Sequence, residues 1–302
     1  MTTKRTRSSS PSPPPSSSGS SFLNAFATHG WISVQNVLSP SELERLQAEC
    51  SALYTRQSAE AIAEQGCVLD VMAQCPMRDS DTARVESSRY LETRAKQLKS
   101  VDNDQQVFSS LLFEKLPAIA GQLMADCTES EGVFFFNEHY VVKPPKSHVE
   151  FRWHRDDDEQ LAMCVDRETI RPYVSAWCAL DDVSSANGAL QFVSLDESGD
   201  LGEETVEKLQ LRACAPVPAK AGDVLFFLSN VWHCSSSNES DAPRRAFYAQ
   251  YSSEKITARP KEVTPLSFAI PCNSKRSGSL AGMATACDSD YKSSKKIKHS
   301  DL

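Results

Sequence analysis

The sequence predicts an α+β fold in which helices pack against a β-sandwich or barrel. Three observations lead there. Apolar residues recur at helical spacing through much of residues 22–124, and from residue 133 onward the apolar runs turn short, β-branched and aromatic. Turn signals at Asn187-Gly188 and Ala221-Gly222-Asp223 then separate those runs, the pattern of a β-rich half that follows an α-rich one. At 302 residues, 40% hydrophobic and 24% charged, the chain can bury a sizeable core. No internal repeat is visible, and no apolar run approaches the roughly 20 residues of a membrane span.

Taken in order, residues 1–19 are Ser/Pro-rich and too poor in apolar side chains to offset the entropy of ordering, so they read as a disordered tail. Phe22, Phe26, Trp31, Ile32, Val34 and Val37 form a short helix and then a strand. Ser39-Pro40-Ser41-Glu42 opens the next helix with a capping serine and a proline at the first position, and Leu43, Leu46, Cys50, Leu53 and Tyr54 continue it as core contacts. Between 60 and 100 the pattern is irregular, with helix expected around 82–99. Residues 107–124 are amphipathic and break at Pro117. Strands are expected at 133–143, 173–180, 189–193, 215–218, 224–228 and 246–251. A folded domain over 20–257 and a flexible, partly basic tail over 258–302 complete the organisation.

The net charge of −8 is unevenly spread: residues 1–19 carry three basic side chains and no acid, and 258–302 carry eight basic against four acidic, which leaves about −15 on the body. An acidic body excludes nucleic acid as the expected substrate, because phosphate binding needs a basic surface. Ten scattered cysteines without a Cys-x-x-Cys pair read as reduced thiols, so the expected location is cytoplasmic. Lys275-Arg276 and Lys295-Lys296-Ile297-Lys298 allow a nuclear reading as the second option, and the final Ser300-Asp301-Leu302 departs from a peroxisomal Ser-Lys-Leu. The start lacks the apolar stretch of a secretory signal, and its prolines break the helix a mitochondrial one would need.

Chemistry concentrates in Trp153-His154-Arg155-Asp156 and the distant Val231-Trp232-His233. A His and a carboxylate two residues apart in an extended segment project to one side, and a second His would complete a 2-His-1-carboxylate face on a metal with open positions. By itself His-x-Asp is equally a surface loop with a satisfied histidine.

The wider pattern decides between these readings. Across roughly residues 22–255 the chain resembles the phytanoyl-CoA dioxygenase family of Fe(II)/2-oxoglutarate oxygenases, through FLNAFATHGWISVQNVLSPSELERLQAEC, FNEHYVVKPP, WHRDD, YVSAWCALDDVSSANGALQFV and PAKAGDVLFFLSNVWHCSSSNESDAPRRAFYAQY in that order. The resemblance implies a double-stranded β-helix (jelly-roll, cupin-like) core with helices packed on one side. It implies Fe(II) on His154, Asp156 and His233, with 2-oxoglutarate as cosubstrate and O2 as oxidant. The anchoring arginine falls on Arg244, whose planar guanidinium offers a carboxylate a bidentate fork; Arg245 competes, and the family's eleven-residue spacing from the second His favours Arg244. Ser235, Trp177 and His139 join the cosubstrate site by the same resemblance, His139 standing where relatives carry Met, with a packed core histidine as its alternative.

Many relatives follow the Asn-Gly strand with Pro-Gly-Ser-His, where this chain has Val193-Ser194-Leu195-Asp196-Glu197-Ser198-Gly199, so the substrate is in doubt while the reaction class is not. The resemblance implies hydroxylation of a small-molecule or lipid-like substrate with release of succinate and CO2. Two rivals stand: a non-catalytic iron-binding module of the same fold, and an oxygenase acting on a protein side chain. Asp157, Asp158 and Glu159 extend an acidic run from the triad that would favour cationic or neutral substrates at the mouth, or that is only a solvated loop.

Overall fold

A capping box sets where the first long helix begins. Ser39 Oγ accepts the Glu42 N–H (3.3 Å) while Glu42 Oε2 accepts the Ser39 N–H (2.7 Å), with Pro40 at the first helical position. The computed structural model describes residues 18–58, 67–71, 87–98, 105–124, 132–158, 169–195, 205–256 and 269–272. Its helices are α1 (Ser18–His29), α2 (Pro40–Arg56), α3 (Ser87–Leu98), α4 (Gln105–Ser110), α5 (Leu116–Met124) and α6 (Val206–Arg212). Its strands are β1 (Trp31–Val34), β2 (Val68–Asp70), β3 (Val133–Lys143), β4 (Phe151–His154), β5 (Val174–Ala179), β6 (Leu190–Phe192), β7 (Val224–Leu228), β8 (His233–Ser235), β9 (Arg244–Ser252) and β10 (Ile270–Cys272).

Two antiparallel sheets result. The large one runs β1-β7-β5-β9-β3-β10 with β2 also on β3, and the small one runs β4-β8-β6. The helices lie against the large sheet, α5 on β5 and β3 and α2 on β9. On the other face, Phe227 of β7 meets Phe192 of β6 and His233 of β8, closing the double-stranded β-helix that was expected.

Period-two alternation assigns each side chain of the central strands to one face or the other. On β3, Glu138 and Tyr140 point toward the helices, while Asn137, His139, Val141 and Lys143 point toward the small sheet. The helix side holds a buried ion cluster: Arg94 of α3 donates to Glu138 through Nε (2.7 Å) and Nη2 (3.1 Å), and to Glu49 of α2 through Nη1 (2.8 Å) and Nη2 (2.5 Å). Tyr140 Oη donates to Glu49 (2.6 Å) and Tyr90 Oη to Glu138. Burial pushes the Glu138 carboxyl up, and Arg94 opposes that shift.

The helical segment 105–124 breaks a few residues before the position expected. Leu111–Lys115 is a π turn, in which the Leu116 N–H reaches back to Leu111 O. In that register the Leu112 carbonyl falls opposite Pro117, which has no N–H to give. Tyr251 Oη of β9 supplies the missing donor at 3.0 Å. The strand expected at 215–218 is absent, since Pro216 and Pro218 cannot donate to a ladder; Val217 and Ala219 form only isolated bridges to Leu190 and Val183.

Ser18 already belongs to α1, inside the expected 1–19 tail, and β10 pairs with β3 inside the expected 258–302 tail. Three residues, one of them proline, carry too short a signal to be read as a strand, yet Ile270 is fully buried against β3. The rest of both tails, the two basic clusters and Glu159 lie outside the described residues.

Replacing Arg94 by Met should strand two buried carboxylates and cost about 3–5 kcal/mol of unfolding free energy, read as a lowered denaturant midpoint.

Candidate metal centre and cosubstrate pocket

The inner face of the large sheet is laid down in rows by strand register. Asn137, Gln250, Ser175 and Phe227 stand side by side; His139, Tyr248, Trp177 and Leu225 form the next row; Val141, Ala246 and Ala179 the third; Lys143 and Arg244 the fourth. The first two rows are polar or aromatic apart from Leu225, the third is small, and the fourth is cationic.

Opposite the first rows, β4 and β8 pair His154 with His233, bringing their ring centroids to 4.1 Å. Asp156, two residues past His154, places Oδ1 3.9 Å from His154 Nε2 and 3.5 Å from His233 Nε2, and the three side chains can offer ligand atoms all within 4.8 Å of one another. The surroundings decide which atoms are left for a metal. The Nδ1 atom of each imidazole lies against the carbonyl two residues earlier, His154 on Arg152 O (2.7 Å) and His233 on Val231 O (3.0 Å), which leaves each Nε2 as the unprotonated nitrogen. Asp156 Oδ2 accepts from Ser175 Oγ (2.7 Å), Gln250 Nε2 (3.2 Å) and Tyr248 Oη. Asn137 Nδ2 donates to Gln250 Oε1 (2.9 Å) and so turns the Gln250 amide toward the carboxylate. Only Oδ1 of Asp156 remains without a hydrogen bond among the described residues.

Charge follows the same geometry. Burial raises the Asp156 carboxyl, but His233, His154 and the donated hydrogen bonds bring it below the usual carboxylate range. Burial and the neighbouring His154 pull His233 down to about 4. Both shifts favour Asp156 and His233 in the deprotonated form that metal binding requires.

Arg244 and Arg245 point to opposite faces, as adjacent strand residues must. Arg245 pairs with Asp181 (2.6 Å) and donates to Ser51 of α2 on the helix side. Arg244 is only 1% exposed and donates to Gly188 O (2.8 Å), Asn187 O (3.4 Å) and Ser235 Oγ (3.5 Å), with its guanidinium carbon 5.3 Å from the Trp177 ring centroid. Among the described residues it contacts no carboxylate. A buried guanidinium that lacks a counter-charge and faces the metal ligands across a row of small side chains suits the far carboxylate of a short dicarboxylate.

A family model described as phytanoyl-CoA dioxygenase (PhyH) matches residues 26–246. The chain belongs to the phytanoyl-CoA dioxygenase family. Among curated proteins it is similar to a methylphosphonate hydroxylase of Gimesia maris, 34% identical over 93 residues, which is 28% of this chain and 35% of that protein. The matched stretch thus spans about a third of that relative's length. The fold matches that of the α-ketoglutarate-dependent epimerase SnoN of nogalamycin biosynthesis, with TM-score 0.55 and 20% identity over 86% of this chain and 97% of that one. It also matches EctD of S. alaskensis, with TM-score 0.55 and 19% identity over 83% and 86%.

The residues that the family resemblance singled out come together on the inner face. Trp177 and Ser235 adjoin Arg244, and His139 stacks on Tyr248 with centroids 4.6 Å apart and planes 18° apart. His139 is the single residue of β3 that is not fully buried, so it lines the space in front of the metal ligands. The acidic run is less anionic than its letters suggest. Arg155 donates to both Asp158 oxygens at 2.7 Å, and burial pushes the Asp157 carboxyl up to about 6. Sequence reasoning passed over Ser175, Tyr248, Gln250 and Lys143. Counting in twos from Arg244 reaches Ala246, Tyr248 and Gln250, a signal that was available once Arg244 was placed.

Replacing Tyr248 by Phe removes one of the three donors to Asp156 Oδ2 and should weaken metal binding about tenfold, while Asp156→Ala abolishes it; metal titration followed by calorimetry reads both.

Proposed function

We propose that this family member hydroxylates a small-molecule or lipid-like substrate, with 2-oxoglutarate converted to succinate and CO2. The observation that carries the proposal is the arrangement of free ligand atoms: Nε2 of His154, Nε2 of His233 and Oδ1 of Asp156 converge, with the buried Arg244 across the small third row. Iron bound there, together with 2-oxoglutarate, supplies the oxidising chemistry.

The chain's own residues supply orientation. Carbonyl contacts at each Nδ1 orient the imidazoles, and the saturated Oδ2 confines Asp156 to a single donor oxygen, so these three residues would hold iron from one side of the site. Arg244, steadied by Trp177, receives the remote carboxylate, and Ser235 adds a hydroxyl beside it. His139 lines the same space and can present an imidazole nitrogen to cosubstrate or substrate. Aspartate in the triad favours hydroxylation or a related oxidation, since halogenating relatives keep that position small. The relative named for hydroxylating methylphosphonate supports a small-molecule substrate. Among the described residues no helix is long and apolar enough to cross a membrane.

Anaerobic addition of Fe(II) and 2-oxoglutarate to the purified protein should produce the weak visible metal-to-ligand charge-transfer band. His154→Ala and Asp156→Ala should lose it, and Arg244→Ala should require about a hundredfold more 2-oxoglutarate, as expected when a charged hydrogen-bonding partner is removed. A well-folded wild-type protein without the band would make the non-catalytic module the better reading. Succinate release that depends on an added small acid or acyl compound, and not on peptide, would separate the two oxygenase classes.

A further inference from the structure

Lys143, the last residue of β3, is 0% exposed, although lysine is among the side chains least often buried. Its Nζ donates to Ser235 Oγ (2.8 Å), Ser235 O (3.2 Å) and Ser236 O, which uses all three N–H bonds of an ammonium group. Register places Lys143 beside Arg244 in the fourth row of the inner face. The two cations therefore share a buried corner, and among the described residues neither makes an ion pair there, since Asp181 is taken by Arg245 on the opposite face.

The Ser235 hydroxyl sits between them. Lys143 Nζ and Arg244 Nη2 both aim N–H bonds at Ser235 Oγ, at 2.8 and 3.5 Å. A hydroxyl has two lone pairs and one O–H, so once both lone pairs are engaged its remaining capacity is to donate. Among the described residues no acceptor takes that proton. Resting on the reading of this corner as the seat of the 2-oxoglutarate tail, we propose that Lys143 is a positioning residue for the cosubstrate: together with Arg244 it fills the acceptor side of Ser235 and turns the Ser235 O–H outward, toward the remote carboxylate of a 2-oxo dicarboxylic acid.

The surrounding structure supports this role. Gly188, at φ +85°, packs so closely that a Cβ would lie 2.5 Å from Ser236 O and 3.2 Å from Lys143 Nζ. The corner therefore admits no side chain from that turn, and its shape is set by backbone. Burial and the Arg244 charge pull Lys143 down to about 7, against the opposing influence of Cys67, Glu150 and Cys234, and burial pulls Arg244 down to about 10. Two crowded cations of this kind are relieved by an arriving carboxylate, so the corner selects dicarboxylates over 2-oxo acids that end in an alkyl group.

The test measures binding to the full chain loaded with Mn(II), by calorimetry, for 2-oxoglutarate and for oxalate, which chelates the metal without reaching the corner. Lys143→Met should weaken 2-oxoglutarate about tenfold or more and leave oxalate within about twofold. Ser235→Ala should do the same, and the double variant should be no weaker than the more affected single one, because both act through one hydroxyl. Lys143→Gln, read with the same two ligands, takes the place of Lys143→Met if the latter fails to fold. Unchanged 2-oxoglutarate binding in the lysine variants, an equal loss of oxalate, or effects that multiply in the double variant would each overturn the proposal. Wild-type protein that binds oxalate but not 2-oxoglutarate would overturn the cosubstrate reading itself.

Discussion

Register along β3 and β9 governs both halves of the molecule. These two strands are covered on both faces, so each successive side chain must suit one of two unlike environments. Glu138 and Tyr140 meet the helices through Arg94 and Glu49, while His139 and Lys143, interleaved with them, face the small sheet. A slip of one residue would send the ion cluster into the pocket and the pocket residues under the helices. The buried cluster therefore contributes more than local cohesion: its bidentate contacts, unlike hydrophobic packing, are satisfied in only one register. The β-bulge between Phe135 and Asn137 is the one place where the pairing of β3 with β9 shifts, and it sets Asn137 opposite Gln250.

The site built on that register is polarised across a few ångströms. At one end a carboxylate is surrounded by donors, and at the other two buried cations lack a counter-charge among the described residues. The row of Val141, Ala246 and Ala179 between them carries no polar group. A molecule with a chelating 2-oxo acid at one end and a single carboxylate at the other matches this pattern in charge and in spacing, whereas a monoacid or a diamine matches only part of it.

Much of this was legible in the sequence because it rests on spacing along strands. His154 and Asp156 stand two apart, His233 follows a β7 run that is unmistakable, and Arg244 opens a strand marked by Phe247, Tyr248 and Tyr251. The helix start at Ser39 was legible because capping chemistry is local. What could not be read was whatever depends on partners far apart in sequence. Nothing in the letters around Lys143 links it to Ser235, and the π turn shows itself only once Tyr251 is seen to complete the Leu112 carbonyl. The short β4, β8 and β10 escaped because three or four residues cannot establish a period. The strand expected near 217 shows the converse error, in which apolar content outweighed the two prolines that remove ladder donors.

The Asn187-Gly188 turn, read at first as simple punctuation between strands, turns out to be a wall. Its two carbonyls grip Arg244, and the missing Cβ lets Ser236 and Lys143 close in behind. For anyone redesigning this protein, that wall divides it into territories. On the side of that turn the corner around Arg244 and Lys143 is walled by backbone, which offers no side chain to exchange there. New specificity has to be written on the more open part of the inner face, at positions such as His139.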